Sequence, residues 1–430
     1  MDFIAFIPII ILFILFFMRV PVAYAMLIAT VVYFVFISKN MPVDIIVQRL
    51  VASAESFPYL AIPFFACAGV VFNYAGITHK LMALAEVLVG HVRGGMGQVN
   101  VLVSTLMGGL SGSANADAAM ETKIIVPQMT KLGYGKAFST VVTAASSCIT
   151  PIIPPGIILI LYAVAADVSI AKMFFAGYLP GIMLCAALMI TVSIISKKRN
   201  YAPSRESKAS LMEILRQFID SIWALFLPFG ILMGLRFGMF TPTEAGAISV
   251  LYAVIIGVLV YRKLRIKDVP AILLESVEAT AGVMFIIGAA QAFGSYLTWE
   301  RIPITISQAL IGNISNPLIL LLVINILLLI VGCFFEGGAA MILLAPLLIP
   351  AVQALGIDLV HFGIVMSINL TIAGFTPPFG TMMFVTTSIA KVRIEDYVKE
   401  AVPFLIVLIA ILLLLTFVPG IVMFIPNLLG

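Results

Sequence analysis

In an otherwise apolar chain, two short segments gather groups that can bind a small ion or a polar solute. Residues Met107 to Asp117 read MGGLSGSANAD, with hydroxyls at Ser111 and Ser113, an amide at Asn115 and a carboxyl at Asp117. Glycine and small hydroxyl residues favour turns. Further on, Thr150-Pro151 and Pro154-Pro155-Gly156 interrupt an apolar run. Proline has no backbone N–H to donate, so these prolines leave carbonyl oxygens free. Hydroxyl, amide and carbonyl oxygens are hard ligands, and a set drawn from Ser111, Ser113, Asn115 and the Thr150-Pro151 turn suits replacement of the hydration shell of Na+. Helix amino termini at the same breaks favour an anionic group on a bound solute.

The second half of the chain offers the same pair of features. Glu336-Gly337-Gly338 stands for the turn and Thr376-Pro377-Pro378-Phe379-Gly380-Thr381 for the break, so two pseudo-symmetric cation sites are expected. Neither turn contains Lys or Arg, so a carboxylate there is held by helix ends, hydroxyls and Na+ charge rather than by an arginine clamp. Asp117 and Glu336 are the acids nearest these sites, and a carboxyl at membrane depth points to function, as ligand or proton-linked group. The alternative for Asp117 is a plain helix cap.

The elements that position these groups must live in a membrane. Of 430 residues, 62% are hydrophobic and 10% charged, against roughly 25% charged in a soluble domain. Phe3 to Met18, Val20 to Ile37, Met173 to Ile195 and Phe404 to Val418 have about the length that crosses a hydrocarbon core of about 30 Å. Met1-Asp2 supplies no cationic leader, so the first stretch reads as a retained helix rather than a secretion signal. Backbone that leaves the helix at membrane depth is tolerated only against protein or a water-filled cavity, so polar turns there mark a binding site.

The two halves repeat. Pro21 finds Pro242, Glu55-Ser56 finds Glu275-Ser276, Ala118-Ala119-Met120 finds Ala339-Ala340-Met341, Phe138 finds Phe362 and Thr150-Pro151 finds Thr376-Pro377, at an offset drifting from 220 to 226. Each half reads as two spans, an amphipathic stretch, a third span, a Gly-rich hairpin, a span broken at proline and a last span. Five crossings per half is odd, which makes the repeat an inverted one. The cation clusters Lys197, Lys198, Arg199, Arg205, Lys208, Arg216 and Arg262, Lys263, Arg265, Lys267 then share a face. Taken as cytoplasmic, that face holds about 19 of the 24 Lys and Arg, leaving Lys39, Arg49, Lys172, Arg236 and Arg301 outside together with both termini. Pro42 to Phe57 and Ile266 to Thr280 are too polar to span and are expected to be separate interfacial helices, with Ile45, Ile46, Arg49-Leu50 and Ser53 on one face. Cys67, Cys148, Cys185 and Cys333 are isolated in apolar segments and read as packing residues, whereas His79, His91 and His361 sit by turns or segment ends and read as surface residues.

Two other function classes fit part of the sequence. Gly109-Leu110-Ser111-Gly112 spells the GxSG nucleophile motif of an intramembrane protease, but no His lies mid-span to serve as base. A purely structural membrane subunit explains the hydrophobicity and leaves the duplicated polar breaks without a use.

At GGLSGSANADAAM (108–120), ITPIIPPGIILI (149–160), FEGGAAMILLAPLLIP (335–350) and GFTPPFGTMMF (374–384), the chain resembles the large membrane subunit of tripartite ATP-independent periplasmic (TRAP) transporters over essentially its full length. The resemblance implies an all-α polytopic membrane protein of two inverted repeats, working as a Na+-driven elevator with no cofactor. Scaffold and arm helices would occupy residues 1–57, a first mobile half 58–172 with hairpin 97–130 and broken helix 137–166, and scaffold, cytoplasmic loop and second arm 173–280. A second mobile half would occupy 281–400 with hairpin 318–350 and broken helix 360–391, and a last scaffold helix 401–430. By the same resemblance Ser111, Ser113, Asn115, Asp117, Thr150 and Pro151 would form one cation site, and Gly337, Gly338, Thr376, Pro377, Gly380 and Thr381 the other. Substrate would lie between the tips, against Ser113, Asn115, Pro154, Gly156, Gly338 and Thr381. The implied partners are a small four-helix membrane subunit on a separate chain and a periplasmic binding protein. The implied cargo is an organic acid, a sialic acid or a C4-dicarboxylate, and the implied place is the bacterial inner membrane. A self-sufficient Na+/dicarboxylate elevator carrier is the runner-up, weakened because Ser113-Ala114-Asn115 only partly matches its Ser-Asn-Thr tips.

Overall fold

The computed structural model describes residues 3–18, 20–38 and 42–429. The Met1-Asp2 leader and the outward placement of Lys39 lie outside them. Among the described residues there is no strand, and the chain is a bundle of α-helices.

The first half begins with α1 (Ile7–Phe17), α2 (Val22–Val32), α3 (Ile45–Glu55), α4 (Ala61–Tyr74) and α5 (Ile77–Val89). A hairpin follows, formed by α6 (Gly95–Ser111) and α7 (Ala114–Lys131). A helix interrupted between α8 (Lys136–Ser146) and α9 (Ile157–Ala165) comes next, and the long α10 (Ile170–Arg199) closes the half. The second half runs α11 (Leu211–Arg236), α12 (Pro242–Ile255), α13 (Val269–Trp299) and α14 (Ile302–Asn313). Its hairpin is α15 (Pro317–Phe334) and α16 (Gly337–Ala354), its interrupted helix α17 (Leu359–Phe375) and α18 (Thr381–Ala390). The chain closes with α19 (Ile394–Phe417) and α20 (Pro419–Leu429). Among the described residues, eight helical segments, including Ile170–Arg199, Leu211–Arg236 and Ile394–Phe417, are long and apolar enough to cross a membrane.

Local sequence sets the starts and stops. Ser169, Ser210, Asn316 and Asp358 cap α10, α11, α15 and α17 with side-chain oxygens on the next backbone N–H groups. Thr241 and Glu244 form a reciprocal capping box ahead of α12, with Pro242 at its first position. At the first hairpin turn Gly112 takes φ of 60°, a left-handed conformation that glycine adopts without penalty.

The two interrupted helices form the centre. Nearly every residue of α8 and α17 is buried, and their Ser and Thr hydroxyls return to carbonyls one turn back, as Thr143 to Ser139 and Thr371 to Ser367. Hydroxyls satisfied by carbonyls of their own helix let such helices sit inside a bundle. Around this centre, α1, α3, α11 and α12 expose large apolar side chains such as Phe17, Val47, Phe229 and Leu251, as a lipid-facing surface does.

Three expectations are corrected. Ile266 to Thr280 is not a separate interfacial helix: from Val269 it runs unbroken into Trp299. In the first half, Ser56 is extended and Pro58 opens a short 3-10 turn, so α3 ends before α4 begins. The residue matching Pro58 is Glu278, which leaves nothing to stop the second helix. The third span of the first half is divided, because Gly76 adopts φ of 74° between α4 and α5. His361 is not at the surface: it is 1% exposed in the first turn of α17, its Nε2 2.9 Å from the Leu415 carbonyl oxygen of α19. The end of that segment lies within the bundle, so proximity to a turn does not mean exposure. His79 is exposed and His91 half-buried, and of the four free cysteines Cys148, Cys185 and Cys333 are buried.

Candidate ion and solute site

The hairpin turns and helix breaks meet at one cavity of about 260 Å³. Its wall is assembled from the starts of four helices: α7 through Ala114 and Asn115, α9 through Ile157, α16 through Gly337 and Gly338, and α18 through Thr381. Each start presents backbone N–H groups without intrahelical partners and the positive end of a helix dipole. Ser113 and Glu336 cap α7 and α16, accepting from Ala116 N at 3.5 Å and Ala339 N at 3.1 Å. α4, α13 and α17 add Gly69, Asn73, Val283, Ile286 and Thr371, and among the described residues no Lys or Arg lines the cavity.

Both turns are tied to the breaks opposite them. The Ile157 N–H donates to the Gly112 carbonyl at 3.3 Å, and Phe334 stacks on Phe379 with ring centroids 5.0 Å apart. The Pro154-Pro155 and Pro377-Pro378 peptide bonds are both cis. Gly156 is required by space: a Cβ there would stand 1.9 Å from the Pro151 carbonyl oxygen.

Of the predicted residues, Ser111, Ser113, Asn115, Pro151, Gly337, Gly338 and Thr381 line the cavity together. Asp117 and Thr150 lie behind the wall, 1% and 0% exposed, and the Thr150 hydroxyl donates to Asp117 Oδ2 at 2.7 Å. Asp117 is therefore not the helix cap, since Ser113 holds that position. Pro154, Gly156 and Gly380 are buried in the breaks and Thr376 and Pro377 are half-buried there, none of them on the cavity wall.

Unpartnered oxygens concentrate at the first turn. Ser111 Oγ, Asn115 Oδ1, Asp117 Oδ1 and Glu121 Oε1 are all buried without a hydrogen-bond partner. Oxygen atoms with free lone pairs and no donor are what a hard cation takes, so this donor set fits Na+. The second half lacks the carboxyls: Gly338 and Ile342 stand where Asp117 and Glu121 are. Its buried polar groups include two amides, Asn369 donating to Asn325 Oδ1 at 2.8 Å and Asn325 to Thr416 at 2.9 Å, beside hydroxyls such as Ser367 and Thr371.

Glu121, Ser104 and Asn73 were missed from sequence. Ser104 donates to Glu121 Oε2 at 2.7 Å, and Thr78 to Asn73 Oδ1 at 2.8 Å. The signals were available: Glu121 follows Asp117 by one helical turn, and Asn73 is the one amide in an apolar span.

A helical membrane bundle with paired helix breaks around a cavity edged by hydroxyl and amide groups is the architecture of a secondary transporter. Residues 9–421 match the family model described as tripartite ATP-independent periplasmic transporter, DctM component, and the chain belongs to that family. It is 37% identical to the sialic acid TRAP transporter permease protein SiaT of Haemophilus influenzae, over 97% of this chain and 67% of the relative. It is 36% identical to the 2,3-diketo-L-gulonate TRAP transporter large permease protein YiaN of Escherichia coli, over 94% of each. It is also 36% identical to the C4-dicarboxylate TRAP transporter large permease protein DctM of Pseudomonas aeruginosa, over 89% of each. Among solved structures, the fold is similar to the YdaH transporter of Alcanivorax borkumensis, with a TM-score of 0.61 and 15% identity over 87% of this chain and 88% of that one. It is similar also to MtrF of Neisseria gonorrhoeae, with a TM-score of 0.55 and 13% identity over 96% and 95%. The chain is thus a polytopic transport protein and not an enzyme, and the GxSG motif belongs to a hairpin turn.

Proposed function

We propose that this chain is the large permease subunit of a Na+-driven importer of an organic acid. The observation that carries the reading is the convergence of four helix amino termini on one cavity, beside the unpartnered oxygens of Ser111, Asn115 and Asp117. Amino termini favour an anion and free oxygens a cation, so one small space suits both members of a symport pair. Relatives named for sialic acid, diketogulonate and C4-dicarboxylates all carry acids, and the cavity suits the acid group they share. Sialic acid is the preferred cargo.

In this reading Na+ binds at Ser111, Ser113, Asn115, Asp117, Thr150 and Pro151, and a second Na+ at Gly337, Gly338 and the Thr376 to Thr381 break. The acid lies between Ser113, Asn115, Gly338 and Thr381, with Pro154 and Gly156 shaping the break behind them. Residues 58–172 and 281–400 move as an elevator, with re-entrant hairpins, against 1–57, 173–280 and 401–430. The halves enter the inner membrane of a bacterium from opposite faces, with both termini periplasmic. A periplasmic binding protein delivers the acid, and a small four-helix subunit buttresses the scaffold.

Reconstitution of the chain with those partners in proteoliposomes tests the assignment. Ser111→Ala removes an oxygen contact to charge and Asp117→Asn exchanges a carboxylate oxygen for an amide nitrogen, each worth about 1.5–3 kcal/mol, and each should raise the Na+ concentration for half-maximal uptake about ten- to hundredfold. Unchanged Na+ dependence in both, at normal expression, refutes the cation site.

A further inference from the structure

A second cavity, of about 800 Å³, adjoins the first and carries what the first lacks. Arg49 of α3 and Arg301 at the start of α14 line it, and among the described residues no Asp or Glu does. Neither guanidinium has an ion-pair partner among the described residues, although Lys80, Arg199, Arg205 and Arg393 all do. Other lining groups add donors. Tyr59 accepts from Gln291 Nε2 at 3.1 Å, which leaves its own hydroxyl proton free to donate, and Trp299 brings an indole N–H. The amino terminus of α14, which no side chain caps, opens on the same space through Arg301 and Pro303.

The two cavities lie in sequence along α13. Ala279, Val283 and Ile286 line the first, and Ala290, Gly294 and Thr298 continue the same face of the helix into the second. Ile342 of α16 lines both and stands at their junction. An arginine-lined cavity thus adjoins an arginine-free one.

We infer that the second cavity is an anion-capture vestibule, in which Arg49 and Arg301 take the carboxylate of an organic acid before it moves along α13 to the hairpin turns. Guanidinium pairs well with carboxylate, and two of them in a cleft without acids raise the local anion concentration. Strong arginine contacts in the transport site itself would hold the acid against release, whereas placed ahead of it they load the path. The inference rests on the reading of the chain as an importer of an acid.

Trp299 reports on this cavity directly. The chain has two tryptophans, so Trp223→Phe leaves Trp299 as the sole emitter. Its fluorescence is quenched with iodide, an anion, and with acrylamide, which is neutral, in full-length protein in phosphatidylcholine nanodiscs. Arg49→Gln or Arg301→Gln should lower the iodide quenching constant about threefold and leave acrylamide quenching unchanged. Succinate and N-acetylneuraminate should protect against iodide saturably in the arginine protein and not in the variants. Equal changes for both quenchers, or no protection by either acid, overturn the vestibule. Protection by phosphatidylglycerol in place of the acids assigns the arginines to a lipid headgroup and also overturns it. Both arginines are exposed, so the substitutions do not threaten folding. Na+-driven uptake by the parent protein separates the two readings: uptake without an arginine effect on iodide sinks only the vestibule, and the arginine effect without uptake sinks only the importer.

Discussion

Asp117 and Glu121 face the same problem with half a solution each. Both are 1% exposed on α7, each has one oxygen bonded to a hydroxyl, Thr150 or Ser104, and each has a second oxygen with no partner. Among the described residues, the helices packed most closely on α7, namely α6, α8 and α18, bring no Arg or His, and Lys136 at the start of α8 is their one charged group. Buried charge without a counter-charge is costly, and replacing it by a neutral group of the same shape tends to stabilise. Glu121→Gln keeps an acceptor for Ser104 and places an amide donor beside Asp117. It should therefore stabilise the protein by about 1–3 kcal/mol, read as a higher melting temperature in nanodiscs. A lower melting temperature would mean that Glu121 is already compensated. Gly156→Ala belongs to the opposite class. Its Cβ would meet the Pro151 carbonyl at 1.9 Å, so the break must open, and the variant should lose folded yield on size-exclusion chromatography. Gly156 is a candidate site residue whose type follows from backbone crowding, which sequence alone cannot separate from a binding role.

The helices show what Gly and Pro can and cannot announce. Turns and breaks at Gly112, Pro154-Pro155 and Pro377-Pro378 were legible because those residues act locally, through φ and a missing N–H. The merging of the second amphipathic stretch into α13 was not, since continuity depends on the absence of a stop, and Glu278 gives no visible sign of standing where Pro58 stands. The cation set was legible in residue type at Ser111, Ser113 and Asn115, but Ser104 and Glu121 join it only through the packing of α6 on α7. Glu278→Pro tests the continuity of α13. The substitution removes the bond to the carbonyl one turn back and clashes with it, at a cost of about 3 kcal/mol, and the melting temperature should fall accordingly. An unchanged melting temperature would show that the helix is already divided near 278, as the repeat in the first half is at Pro58.

The whole molecule must move if it is an elevator, and the contact between hairpin and scaffold says where to stop it. α6 of the first hairpin runs against α11, and a Cβ at Gly109 would lie 2.9 Å from the Pro228 Cβ. A disulfide needs about 3.5–4.5 Å between Cβ atoms, so cysteines at these positions require a separation of under an ångström more, and Cys in place of Pro228 removes the ring that crowds them. In the proposed mechanism Gly109 travels with the mobile unit while Pro228 stays with the scaffold, so the pair is joined in one state only. Gly109→Cys with Pro228→Cys, in a chain with Cys67, Cys148, Cys185 and Cys333 replaced, should crosslink on oxidation and abolish Na+-driven uptake. Reduction should restore uptake to the level of either single variant, which separates locking from damage. A crosslinked protein that still transports would mean that the hairpin and α11 move together, and the division between mobile and fixed parts would have to be redrawn.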